Sequence, residues 1–223
     1  MKYTWLFLLF LANFYYTNGQ RISNIDMDSI SLSIKDASSV HYYPVILETF
    51  LKNQDTIDII FDSLSAEGYT HLYYGWFFQE GYKADATETE NESVFLDLYH
   101  KNQYAEAIPF GELAVKESPV NIVLLHKLAL AGNYTGNSTV FWNYFRKYTR
   151  LLNAIKSSGD GKTATTAFVV INVYDEYEVL SDLELKKDKQ SEENGCDKFN
   201  IRQPNELNTS VLYFNKSLTL QEK

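Results

Sequence analysis

The chain has 223 residues, 45% of them hydrophobic and 22% charged, with a net charge of −9. That composition excludes a wholly disordered chain, and the acidic balance makes nucleic acid or an anionic membrane a poor partner for the chain as a whole. Only 10 Gly and 4 Pro argue against a turn-dense sandwich or barrel and for a substantial helical part. The aromatic residues are many: 17 Tyr, 14 Phe and 3 Trp.

Residues 1–19 read as a secretory signal peptide: Lys2, then the apolar run Trp5 to Ala12, then small residues at Thr17 and Gly19 before the expected cut. The apolar run is shorter than the roughly 20 residues a membrane span needs, and the rest of the chain offers none. The expected product is exported, periplasmic or extracellular, and consists of residues 20–223 as a single domain, helical over about 20–161 and β-rich over about 162–223. Cys196 is the single cysteine, so no internal disulfide forms. It reads as a small buried thiol rather than a nucleophile.

Asp26 caps a short helix with Met27, Ile30 and Ile34 on one face. Pro44 opens a second, with Ile46, Leu47, Phe50 and Leu51 at helical spacing until Asn53–Asp55 breaks it. Ser65 caps a third. Its apolar stripe is Tyr69, Leu72, Tyr73, Trp76 and Phe77, and Gly81 ends it. Residues 83–93 read as an acidic loop into the next helix. Tyr104, Ala107, Ala114 and Pro119 have the spacing of the second helix of a tetratricopeptide unit, so residues 94–135 read as repeat-like helix pairs. Ser138 caps a long helix that stops at Ser157-Ser158-Gly159-Asp160-Gly161. Beyond it, Phe168–Tyr174 has the composition of a buried strand, residues 186–195 read as a charged loop, and Phe199–Ile201 and Val211–Phe214 as strands. The class is α+β: an N-terminal helical part with tetratricopeptide-like pairs, then a small, mostly antiparallel sheet.

A set of segments carries a resemblance. They are His41-Tyr42-Tyr43-Pro44, His71-Leu72-Tyr73-Tyr74-Gly75 with Phe78-Gln79 and Gly81-Tyr82, Leu152 to Ile155 leading into Ser157 to Thr163, Thr166-Ala167-Phe168, Asp175-Glu176-Tyr177, Cys196-Asp197 and Leu212 to Asn215. Together they resemble a bacterial family catalogued as domain of unknown function 4919, exported proteins found mainly in Bacteroidota. The resemblance implies location and fold-level unity rather than a chemistry. In that phylum Asp28-Ser29-Ile30, Asp55-Thr56-Ile57 and Asp62-Ser63-Leu64 look like O-glycan sites.

No catalytic constellation is complete. Gly159-Asp160-Gly161-Lys162-Thr163 ends like a phosphate loop, but Lys156 stands where the first Gly is required. It reads as a helix stop, with a ligand-contacting turn as the alternative. Asp175 and Glu176 as a catalytic carboxylate pair conflict with a strand reading, which puts them on opposite faces. No two of His41, His71, His100 and His126 have short metal-ligand spacing, so no metal or cofactor is expected. His71 reads as a hydrogen-bonded packing residue, and Tyr74 and Phe78 as exposed because they lie off the stripe. Two functions follow. The first is a non-enzymatic interaction module of the cell envelope, for another protein or peptide. The second is a glycan or polar-ligand binding protein or hydrolase whose pocket draws on His71, Tyr74, Phe78, Tyr82, Asp160, Asp175 and Glu176.

Overall fold

A computed structural model describes residues 25–52, 64–84 and 87–220. The segment 1–19, the break at 53–55 and the sites at Asp55 and Asp62 lie outside the described residues.

Helix α1 spans Met27–Lys35, and the Asp26 carboxylate accepts from Ser29 N at 3.0 Å. Helix α2 spans Tyr43–Leu51, with Pro44 in its first turn, where a missing N–H costs nothing. Ser65 Oγ accepts from Gly68 N and starts α3, Ala66–Trp76. Its stripe of Tyr69, Leu72 and Tyr73 is buried as the periodicity predicts. The helix ends at Trp76, short of Gly81.

Four helices follow: α4 (Glu90–His100), α5 (Tyr104–Glu117), α6 (Ile122–Tyr134) and α7 (Ser138–Lys156). Helix α4 therefore starts inside the stretch expected to be loop. Connections of only three or four residues keep successive helices as neighbours. The small residues of α5 bring them close: a Cβ added to the buried Gly111 would sit 2.9 Å from Leu128 and Phe95. The cap of α7 is Asn137, whose Oδ1 accepts from Val140 N, rather than Ser138. Helix α7 also packs on α3, joining the first three helices to the later four.

The C-terminal part is a four-stranded mixed sheet in the order β1-β4-β3-β2. Strand β1 is Phe168–Val169, much shorter than the β-branched run suggests, and pairs parallel with β4, Val211–Asn215. Strand β3, Cys196–Ile201, runs antiparallel to both β4 and β2. Strand β2 is Lys187–Glu193, in the stretch expected to be a loop. It is exposed along its whole length, so it shows no apolar alternation, and its charges guard the sheet edge. The β2–β3 turn is Asn194-Gly195 at φ 53° and 75°, the left-handed pair that a tight hairpin needs.

Residues 175–182 differ from the strand expected of Asp175 and Glu176. They form helix α8, Asp175–Asp182, within the part expected to be β-rich. It packs on α6 and α7, and one continuous apolar core runs from Ile30 of α1 through the helices to Phe199, Leu212 and Phe214 of the sheet.

Candidate functional site

Three tyrosines of α3 and its exit tie the helical layer to the chain between β1 and α8. Tyr74 donates to Val169 O at 3.0 Å and Tyr82 to Ile171 O at 2.8 Å. The Tyr73 hydroxyl accepts from Ile171 N at 3.2 Å and donates to Asp175 Oδ2 at 2.5 Å. These bonds give Val169 O, Ile171 O and Ile171 N the partners that removal from water demands. Tyr74, expected to be exposed, is fully buried, because its hydroxyl is needed inside. Phe78 is half-buried, edge-on to Phe77 and under the Lys35 ammonium.

Asp175 opens onto a cleft of about 220 Å3, formed where the exit of α3 meets the starts of α4, α6 and α8. Its walls include Trp76, Tyr82, Glu92, Asn121, Asn172 and Asp175. Gly81 sets the Trp76 ring in place: a Cβ there would lie 2.7 Å from the indole. Glu92 is held by Asn121 Nδ2 at 2.8 Å, while Asn121 Oδ1 caps α6. Burial pushes the Asp175 carboxyl up to about 8, against the pull of the Tyr73 hydrogen bond. Burial also raises Glu92. Burial thus favours the protonated form of Asp175 near neutral pH.

The other predicted residues lie elsewhere. Asp160 is exposed and accepts from Thr166 Oγ1 at 2.5 Å and Lys162 N at 3.0 Å, bonds that hold its carboxyl below the usual range. The N–H groups of Asp160 and Gly161 both donate to Thr166 O, so this turn presents no cradle to a phosphate. Asp175 and Glu176 sit on a helix rather than a strand, and the turn of about 100° per residue separates them. Glu176 is fully buried, and neither carboxyl oxygen has a hydrogen-bond partner. Burial first, and the neighbouring Asp197 charge second, push it up to about 9, so it stays protonated. Lys216 Nζ instead meets Asp197 Oδ1 at 2.7 Å. Cys196 is buried, its thiol directed at Ala164 O.

His71 does not line the cleft either. Its ring stacks on His41 at 3.9 Å, and its Nδ1 meets Glu67 O at 2.9 Å. Burial and the facing His71 hold His41 below the usual histidine range. Of the seven residues expected in one pocket, Tyr82 and Asp175 line the cleft. Trp76 lies on the apolar stripe in the sequence, and no motif marks Glu92 or Asn121 as site residues. The one local signal was the Asn121-Ile122 helix start.

These features define an α+β protein whose helical layer and α8 enclose a small cleft with an aromatic wall and a few polar side chains. The family model described as Domain of unknown function (DUF4919) matches residues 28–223, and the chain belongs to that family. No curated protein and no solved structure matches the chain.

Proposed function

We propose that the cleft binds a small polar ligand with an apolar face and several hydroxyls, a sugar or sugar-like compound. The observation that carries this is the joining of Trp76 and Tyr82 with Asp175, Glu92 and Asn121 around one space. Aromatic rings offer a flat apolar surface, and carboxyl and amide groups offer directional hydrogen bonds. The space is smaller than the roughly 300–1,000 Å3 of drug-sized sites, which suits a single ring. Binding rather than hydrolysis is the reading, since Asp175 is engaged by Tyr73 and Glu92 by Asn121. In a thermal-shift screen of monosaccharides and sugar acids, at least one should raise the melting temperature saturably. Trp76→Ala, folded by circular dichroism, should abolish that rise. No shift with any sugar, or an equal shift in the variant, counts against the cleft.

A second reading, an interaction module for another envelope protein or peptide, rests on the helices from α4 to α7. Phe110 and Leu113 of α5 and Trp142 of α7 are exposed, and the two helices meet at the Tyr144–Glu112 hydrogen bond. Tetratricopeptide-like pairing of these helices belongs to this reading. Export through the signal at 1–19, in a bacterium of the Bacteroidota, is part of the proposal under both readings. Among the described residues no helix is long and apolar enough to cross a membrane. Intact-mass analysis of the native protein should give a chain beginning at Gln20, and a chain retaining Met1 contradicts export by this route.

A further inference from the structure

We propose that His41, His71 and Glu67 form a binding site for a divalent transition-metal ion of the Zn2+ class. One candidate ligand atom from each of the three lies within 4.8 Å of the others. Two imidazole nitrogens and one carboxylate oxygen are a ligand set that zinc takes, with water completing the tetrahedron.

The site is assembled by two separate parts of the fold. Glu67 and His71 are four residues apart on α3, hence on one face. His41 comes from the turn between α1 and α2, held by its own N–H donating to Ser39 Oγ at 3.1 Å. Two residues on, the buried Tyr43 donates its hydroxyl to Leu72 O at 3.3 Å and anchors that turn against α3. Gly75 allows the approach, because a Cβ there would lie 2.9 Å from the Tyr43 ring.

The hydrogen bonding also sets the tautomer. A backbone carbonyl only accepts, so His71 Nδ1 carries the hydrogen that meets Glu67 O, and the lone pair lies on Nε2. That carbonyl-fixed arrangement is how metal-ligating imidazoles are commonly oriented. Tetrahedral ligands about 2.1 Å from a metal lie about 3.4 Å apart, so binding requires the His41 ring and the Glu67 carboxylate to turn toward Nε2 of the hydrogen-bonded His71. His41 is half-buried and Glu67 exposed, which leaves these two side chains room to move while the buried His71 stays in place. The third ligand from α3 is what the histidine spacing alone did not reveal.

The test is calorimetric titration of the chelator-stripped protein with ZnCl2. One equivalent should bind. His41→Asn and Glu67→Gln, both outside the deeply buried core, should each weaken binding by at least ~10-fold. His126→Asn, which alters the separate His126–Glu178 pair, should bind as the wild type does. Co2+ substitution should give visible bands of a four-coordinate ion, lost in His41→Asn. Absence of Zn2+ binding overturns the proposal, as does loss of binding in His126→Asn with wild-type affinity in His41→Asn and Glu67→Gln.

Discussion

Asp175→Asn should stabilise the protein at pH 9 relative to the wild type and bring little benefit at pH 4. Asp175 is 2% exposed, and its carboxyl is raised to about 8 from an ordinary 3.8. A raised acid holds a proton in the folded state that the unfolded state has released. Its contribution is therefore fully present below the unfolded value, near 4, and is lost as pH rises through about 8. The slope is about 1.4 kcal/mol per pH unit across that window, on the order of 5 kcal/mol in all. Glu176, raised to about 9, acts in the same direction. An asparagine carries no charge at any of these pH values, and its amide oxygen can still accept from Tyr73. Denaturant unfolding at pH 5, 7 and 9 gives the comparison directly. The variant-minus-wild-type difference should grow with pH, because other titrating groups cancel. Parallel curves would mean that Asp175 is not buried with its proton.

Gly159→Ala should cost about 3 kcal/mol or more. An added Cβ would fall 2.2 Å from Thr166 O and 2.7 Å from Ala167 O, both backbone atoms that no rotamer can move. Relief would pull Thr166 O away from the N–H groups of Asp160 and Gly161, which donate to it at 3.0 and 2.8 Å. At roughly 2–4 °C per kcal/mol for a chain of this size, the melting temperature should drop by about 6–12 °C. Gly136→Ala is the matched control. It has φ 70° but nothing within 4 Å, so it should cost only the ~1–2 kcal/mol of left-handed strain. Equal losses in the two variants would show that the close approach at Gly159 is not what matters.

The helical half was legible because its signals are local. Asp26 and Ser65 cap where the sequence places them, and the Tyr69–Leu72–Tyr73 stripe is buried. At α7 two adjacent residues could cap, and the geometry uses Asn137. Strand β2 was missed because hydrophobic alternation marks only strands with one buried face, and both faces of β2 meet water. The Asn194-Gly195 turn was the available clue. At α8 the β-branched run up to Val173 drew the strand reading too far. Asp175, Glu176 and Glu178 in one first turn were the opposing signal.

The cleft was only half legible. Periodicity places Trp76 on the apolar stripe but cannot say whether the outer edge of that stripe meets core or an open space. Glu92, Asn121 and Asp175 are brought together by tertiary packing across three helix starts, which no short motif encodes. The stacked pair His41 and His71 is of the same kind, joined through α2–α3 packing. Tyr73 was read correctly as buried, but its bond to Asp175 is what makes that carboxyl informative.

The proposed ligand meets the cleft rather than the outer face of α5 and α7. Chemical-shift mapping by NMR with the best binder of the sugar screen tests it most directly. Shifts should concentrate at the Trp76 indole N–H and the backbone amides of Tyr82, Asn121 and Asp175. Shifts centred on Phe110, Leu113 and Trp142, with Trp76 unmoved, would contradict it.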